Sequence, residues 1–340
     1  MILYDLKCKI SLYDFGIEIP IMDDKLKRTL KKLKSHPKLG KEFNGFSCNR
    51  IQEKIMPEDL LRVHSREYIN KLFSDKLEEE VIRAYELIGS DGSYNRYNPK
   101  NAVLPLSALF TSELLKTAGT LQCCKTALEK DFCFYFGGGF HHAQKDYGEG
   151  FCILNDIVIA IRNLQENDSI SSAWVIDLDA HKGDGTAALT SGDDSITTLS
   201  IHMEKGWPLD TEMYADGVLN PSFIPSDIDI PVAVGEEDVY NKKLLEGLNK
   251  LDSFPKPQIA LVVMGADPYE KDGLPSSSGL KLTLEQMKER DLLVYNFLKE
   301  RSIPQAVLIA GGYGAECWRV YYQFLEHVLS GILIDGARGD

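Results

Sequence analysis

The sequence predicts an α/β fold, with a mainly parallel central sheet, helices on both of its faces, and a single domain over residues 1–340. Three observations carry this expectation. Five short runs are apolar throughout instead of alternating, as strands buried on both faces must be. Helical patterns lie between and around them, and a parallel sheet needs such crossovers to bring the chain back to the same edge. The reactive side chains follow the runs at their carboxyl ends, where open α/β sheets bind ligands. No Gly/Ser linker, low-complexity tract or solenoid-length repeat divides the chain.

The elements follow in order. The opening MILYDLKCKISLYDFG has Asp5, Lys7, Lys9 and Asp14 among its apolar residues. It therefore lacks the apolar core of a secretory signal and reads as the start of the fold. In KLKRTLKKLKSHPK (25–38), Leu26, Leu30 and Leu33 recur at helical spacing, so the basic run reads as a solvated helix face, not a nucleic-acid patch. A helical pattern over 107–130 precedes the first strand, FCFYF (132–136); a second covers 155–165 before AWVIDL (173–178) and ITTLSI (196–201). IALVVM (259–264) is the fourth strand. A helix begins at Thr283, where Gln286 completes a capping box ahead of 287–301, and AVLIA (306–310) is the fifth strand.

Composition narrows the function classes. A net charge of -13 disfavours a broad electrostatic grip on nucleic acid. No charge-free apolar stretch approaches the roughly 20 residues that cross a bilayer. Seven cysteines, with Cys123 and Cys124 adjacent, fit neither a disulfide framework nor a zinc knuckle, and a reducing cytoplasm is expected.

The residues after the strands are GGGFHH, DLDAH, SIH, GAD and GGYG. Asp177, Asp179 and His181 alternate through DLDAH, a spacing that directs them to one face. Asp179 and His181 make a natural metal pair. Asp267 could add a third ligand and leave one position open, as catalytic zinc requires. Alone, D-x-D-x-H is more often a helix cap or an ion pair; partners at the other strand ends reverse that weighting. His141 and His142 follow three glycines. With Asp179 and Asp267 on the metal, Asp177 and Asp184 remain to fix the imidazole tautomers for general base catalysis. GGGFHH lacks the G-x-G-x-x-G of a dinucleotide turn, and Phe140 and two imidazoles occupy the stretch that a pyrophosphate needs bare. Tyr313, flanked by glycines, could donate its phenol to a developing oxyanion.

These residues resemble the histone deacetylase family of the arginase-deacetylase superfamily, closest in motif style to class IV and bacterial deacetylase-like amidohydrolases. The resemblance runs through VHSREYI (63–69), GGGFHHAQKDYGEGFCILNDIVIAI (137–161), VIDLDAHKGDGT (175–186), LSIH (199–202), IDIPVAVGEEDVY (228–240), GADPYEKDGL (265–274) and AGGYGAECW (310–318). It implies the arginase-deacetylase fold and zinc-dependent hydrolysis of an acyl-lysine or another N-acyl amine. It also implies zinc on Asp179, His181 and Asp267, and His141 and His142 as the base and acid pair, backed by Asp177 and Asp184. Tyr313 would hold the oxyanion. A potassium ion is implied at Asp177, Ser200 and the carbonyl groups of Asp179, His181 and Ile201. Gly150, Phe151, Trp207 and Leu274 would line an acyl-lysine tunnel.

The chain departs from the family pattern in three places. Lys182 follows His181 where His or Gln is usual, Trp207 stands where Phe is common, and the region around 90–105 offers no match for the family's rim aspartate. Two rival functions are weaker. A two-metal ureohydrolase needs carboxylates where this chain has Gly183 and Tyr269, and a non-catalytic acyl-lysine binder has no need of the complete ligand, histidine and tyrosine set.

Overall fold

A computed structural model describes residues 1–19, 24–209, 213–215, 218–220 and 223–336. Its strands are β1 (Ile2–Leu3), β2 (Ser47–Cys48), β3 (Phe132–Tyr135), β4 (Ala173–Asp177), β5 (Ile196–Met203), β6 (Tyr214–Ala215), β7 (Val218–Leu219), β8 (Ile228–Val232), β9 (Ile259–Met264) and β10 (Gln305–Ile309). Among the described residues, eight of them form one sheet in the order β2-β1-β3-β10-β9-β4-β5-β8. Every neighbouring pair in that sheet is parallel. β6 and β7 make a separate antiparallel ribbon.

Successive strand residues feed two different cores, as the period of two requires. From β9, Ala260, Val262 and Met264 enter one core with Leu30 and Leu33 of helix Asp24–Ser35, Leu244 and Leu248 of helix Tyr240–Leu251, and Val294 of helix Leu284–Glu300. Ile259, Leu261 and Val263 enter the other, against Leu121 and Cys124 of helix Ser107–Lys130 and Ile157 and Ile161 of helix Asp156–Glu166. Both faces are therefore covered by helices, which is why the five runs are apolar throughout.

The five expected strands are β3, β4, β5, β9 and β10. The other three in the sheet escape a pattern search for physical reasons. β1 and β2 are two residues long, too short for any periodicity. β8 is an edge strand that alternates buried and half-buried residues and carries Pro231, which an edge tolerates. The capping box at Thr283 and Gln286 forms as expected.

Helix Asp24–Ser35 leaves Lys27, Lys31, Lys32 and Lys34 exposed, in keeping with a solvated face. Its first turns do more. Lys25 Nζ donates to the Gly312 carbonyl at 2.6 Å and Arg28 to the Ala315 carbonyl at 3.1 Å, so the helix grips the loop that carries Tyr313. Among the described residues no helix is long and apolar enough to cross a membrane, and the cysteines are all free thiols.

Candidate active site

The chain leaves β3 through Gly138 and Gly139, both at φ +75°, a conformation natural to glycine. The fully buried Asp156 fixes this turn by accepting hydrogen bonds from Gly139 N (3.0 Å), Phe140 N (2.7 Å) and the Thr120 hydroxyl. His141 and His142, both buried, emerge side by side with ring centroids 3.9 Å apart. His141 Nδ1 lies 2.6 Å from Asp177 Oδ2, and His142 Nδ1 lies 2.7 Å from Asp184 Oδ1. Gln144 donates to the other Asp184 oxygen at 2.9 Å. A carboxylate at each Nδ1 orients the ring and leaves Nε2 facing the cavity.

The paired imidazoles differ in charge preference. Burial opposes a proton on His141, but the carboxylates of Asp177 and Asp179 outweigh it and raise its pKa to about 9. Burial, reinforced by the charges of His141 and His181, holds His142 well below the ordinary imidazole range. The surroundings of His141 thus favour the charged ring and those of His142 the neutral one.

Beyond β4, which ends at Asp177, the DLDAH run folds on its own backbone: Asp179 N donates to Asp177 Oδ1 and His181 N to Asp179 Oδ1, each at 3.1 Å. Strand alternation ends there, yet these bonds keep the three side chains converging. Asp179, His181 and Asp267 each offer a ligand atom, all within 4.8 Å of one another and all buried. Backbone amides hold the two carboxylates in place: Gly311 N reaches Asp179 Oδ2 at 2.8 Å and Ala180 N reaches Asp267 Oδ1 at 3.1 Å. His181 Nδ1 sits 3.1 Å from Asp179 and 3.0 Å from Asp267, while Nε2 lies 3.3 Å from Ser276 Oγ. Apart from this His181 contact, Asp267 Oδ2 has no hydrogen-bond partner among the described residues. Burial would depress the His181 pKa, but the two carboxylates raise it to about 10. A site this electronegative calls for a cation.

Tyr313 lines the same cavity as His141, His142, Asp179 and His181. Burial, with the charges of Asp267 and Asp179, pushes its phenol well above the usual range, so it stays a neutral donor. Asp272 ties its loop to the loop bearing Asp267. One oxygen accepts from Tyr313 N (2.6 Å) and Gly314 N (3.2 Å), the other from Leu274 N and the Ser277 hydroxyl, both at 2.8 Å.

Of the expected tunnel residues, Gly150 and Phe151 line the cavity. Trp207 does not, but its ring lies 4.5 Å from that of His142 and 5.8 Å from that of His181. A Cβ on Gly150 would collide with both Trp207 and His142. Leu274 is buried and sits outside the cavity lining. Ser200 Oγ is buried without a hydrogen-bond partner, and Ser200 pairs with Asp177 across β4 and β5. In the 90–105 region it is Arg96 that meets the Phe151 wall, 5.4 Å from the ring, with Glu86 as its ion-pair partner at 3.0 Å.

A family model described as the histone deacetylase domain matches residues 19–329. The chain belongs to the histone deacetylase family. Its relatives include an uncharacterized protein of Picosynechococcus, 32% identical over 222 residues, or 65% of this chain and 69% of that protein. The acetoin utilization protein AcuC of Staphylococcus aureus is 28% identical over 336 residues, covering 96% of this chain and 80% of AcuC. The crystal structure of a histone deacetylase homologue from Aquifex aeolicus superposes with a TM-score of 0.67 at 22% identity, over 94% of this chain and 82% of that one. This histone deacetylase family member is thus an amide-hydrolysing enzyme of the deacetylase class on the family's α/β fold.

The sequence reading gave no role to Asp156, Asp272 or Ser276. The first two lie inside the quoted motif blocks, but nothing in a lone aspartate says that it caps a glycine turn or bridges two loops. Ser276 carries no signal at all; only the fold brings it to His181 Nε2.

Proposed function

We propose that this protein is a zinc-dependent deacylase acting on acyl-lysine side chains, and that the described residues act as one catalytic domain. The observation that carries this reading is the convergence of Asp179, His181 and Asp267 beneath the paired histidines and beside Tyr313. Two carboxylates and one imidazole suit zinc and leave an open position, and Gly183 and Tyr269 supply no ligands for a second metal. Asp267 Oδ2, with only His181 Nδ1 beside it, and the Ser276 contact at His181 Nε2 fit a cation seated on the Nδ1 side. When bound, zinc would polarise the amide carbonyl and lower the pKa of a water.

The side chains supply the remaining steps. His142, the neutral imidazole, takes a proton from the attacking water as it adds to the amide carbon. Tyr313 donates its hydroxyl to the oxygen on which negative charge develops. Collapse breaks the C–N bond, and the histidine pair protonates the departing amine. Acetate and the free lysine amine leave. The unpartnered Ser200 Oγ supports a potassium ion beside Asp177 and the Ile201 carbonyl, where it would stiffen the floor under His141. The free thiols favour a cytoplasmic setting.

A fluorogenic acetyl-lysine peptide tests the reading. Hydrolysis should cease on chelation and return with one equivalent of zinc. Turnover that survives chelation, or two manganese ions per chain, would overturn it. Longer acyl-lysines and acetylpolyamine assayed alongside define the substrate; a clear preference for acetylpolyamine would replace acyl-lysine. Peptide binding without turnover would leave a reader module.

A further inference from the structure

Lys182, the residue after metal-site His181, is 1% exposed. A buried ammonium is costly unless its partners are specific, and those of Lys182 all come from the far side of the site. Its Nζ lies 3.0 Å from Asp229 Oδ1 on the edge strand β8, donates to the Ser226 hydroxyl, and sits 5.6 Å from the centre of the Phe223 ring. Ser226 N in turn donates to Asp229 Oδ2 at 2.8 Å, and His202 Nε2 stands 3.6 Å from Asp229 Oδ1. Phe223 packs with Leu209 and Met213 in a small core of its own. Leu209 follows closely on Trp207, whose ring rests on His142.

We propose that Lys182 is a positioning residue for Trp207, the ring that rests on His142. By pairing with Asp229 and Ser226 and lying over Phe223, it ties the segment that brings Trp207 onto His142 to the strand end that carries His181. The Lys182 carbonyl also accepts from Asp184 N at 2.9 Å, so the same residue touches the support of His142. A buried ion pair of this kind fixes one arrangement more than it adds stability. The inference builds on the acyl-lysine reading of the site and names what holds the ring beside His142 in register.

The test compares Lys182→Met, the double variant Lys182→Met/Asp229→Asn, and Ser226→Ala. The single lysine variant leaves Asp229 buried without its ammonium partner, and its Tm should fall by more than about 5 °C; removing both charges should return most of that loss. In the double variant acrylamide quenching of Trp207, isolated by comparison with Trp207→Phe, should at least roughly double. KM for the acetyl-lysine peptide should rise about fivefold while kcat stays within about threefold. Ser226→Ala should move both readouts the same way by less. A folded double variant with parental quenching and parental KM overturns the proposal. A parent that never hydrolyses the peptide would sink the acyl-lysine reading alone, because Trp207 quenching still decides whether the tie exists.

Discussion

The floor of the cavity and its outer wall are held by different means. On the floor, His141, His142, Asp179, His181 and Asp267 are all 4% exposed or less, and each is anchored by a carboxylate or a backbone amide at the end of a sheet strand. Around it, Gly150 and Phe151 line the cavity while Trp207 and the 265–277 loop lie beside it, and none of these is in the eight-stranded sheet. Single side chains tether these loops: His64 and Glu113 behind the Phe151 segment, Lys182 behind Trp207, Asp272 behind Leu274. The groups at the strand ends are thus held by the sheet, where moving one moves many, and the surrounding loops by single tethers, where one side chain sets one surface.

The contrast can be broken by mutation. Tyr313→Phe removes the proposed oxyanion donor, and kcat should fall by about 10²–10³-fold with little change in KM; near-parental kcat would take the phenol out of the mechanism. Trp207→Leu removes the ring beside His142 but keeps the metal-site residues, both imidazoles and Tyr313, so KM should change by up to about tenfold while kcat holds. A loss of kcat as large as that of Tyr313→Phe would show that floor and wall are not separable.

A separate effect falls on acid stability. His64 Nδ1 lies 2.8 Å from the Gln144 carbonyl, and Nε2 accepts from Asn155 N at 3.1 Å, an arrangement that suits the neutral ring. Burial lowers its pKa from 6.5 to about 4. Unfolded His64 therefore takes up a proton at higher pH than folded His64 does. Its contribution is complete above pH 6.5 and is lost as pH falls towards 4, by about 3 kcal/mol in full. Thermal melts from pH 7 to 4.5 should slope less in His64→Gln than in the parent; equal slopes would remove His64 as the source.

The legibility of the sequence follows the same division. The interior strands were readable because burial on both faces makes them apolar throughout, and the floor residues because each stands at a strand end in a run such as DLDAH. The edge strand β8 was not, since one half-exposed face breaks that pattern. Nor were the tethers. Asp156, Asp272 and Ser276 act through groups distant in sequence, and Lys182 was visible only as a departure until Asp229 and Ser226 came beside it. Trp207 was named as a wall residue, but its edge-to-face contact with His142 depends on a loop that no local pattern encodes.

Strand β10 sits between β3 and β9, with Gln305 beside Phe132 on one flank and Ala260 on the other. A growing polypeptide therefore carries both imidazoles and the whole ligand trio out of the ribosome while the middle of its sheet is still a gap, and only the arrival of residues 305–309 zips the two halves together. Such long-range closure is slow and leaves apolar edges open in the meantime. Chains halted before residue 305 should be sticky and metal-poor, and a late-acting chaperone would find its natural client in that interval.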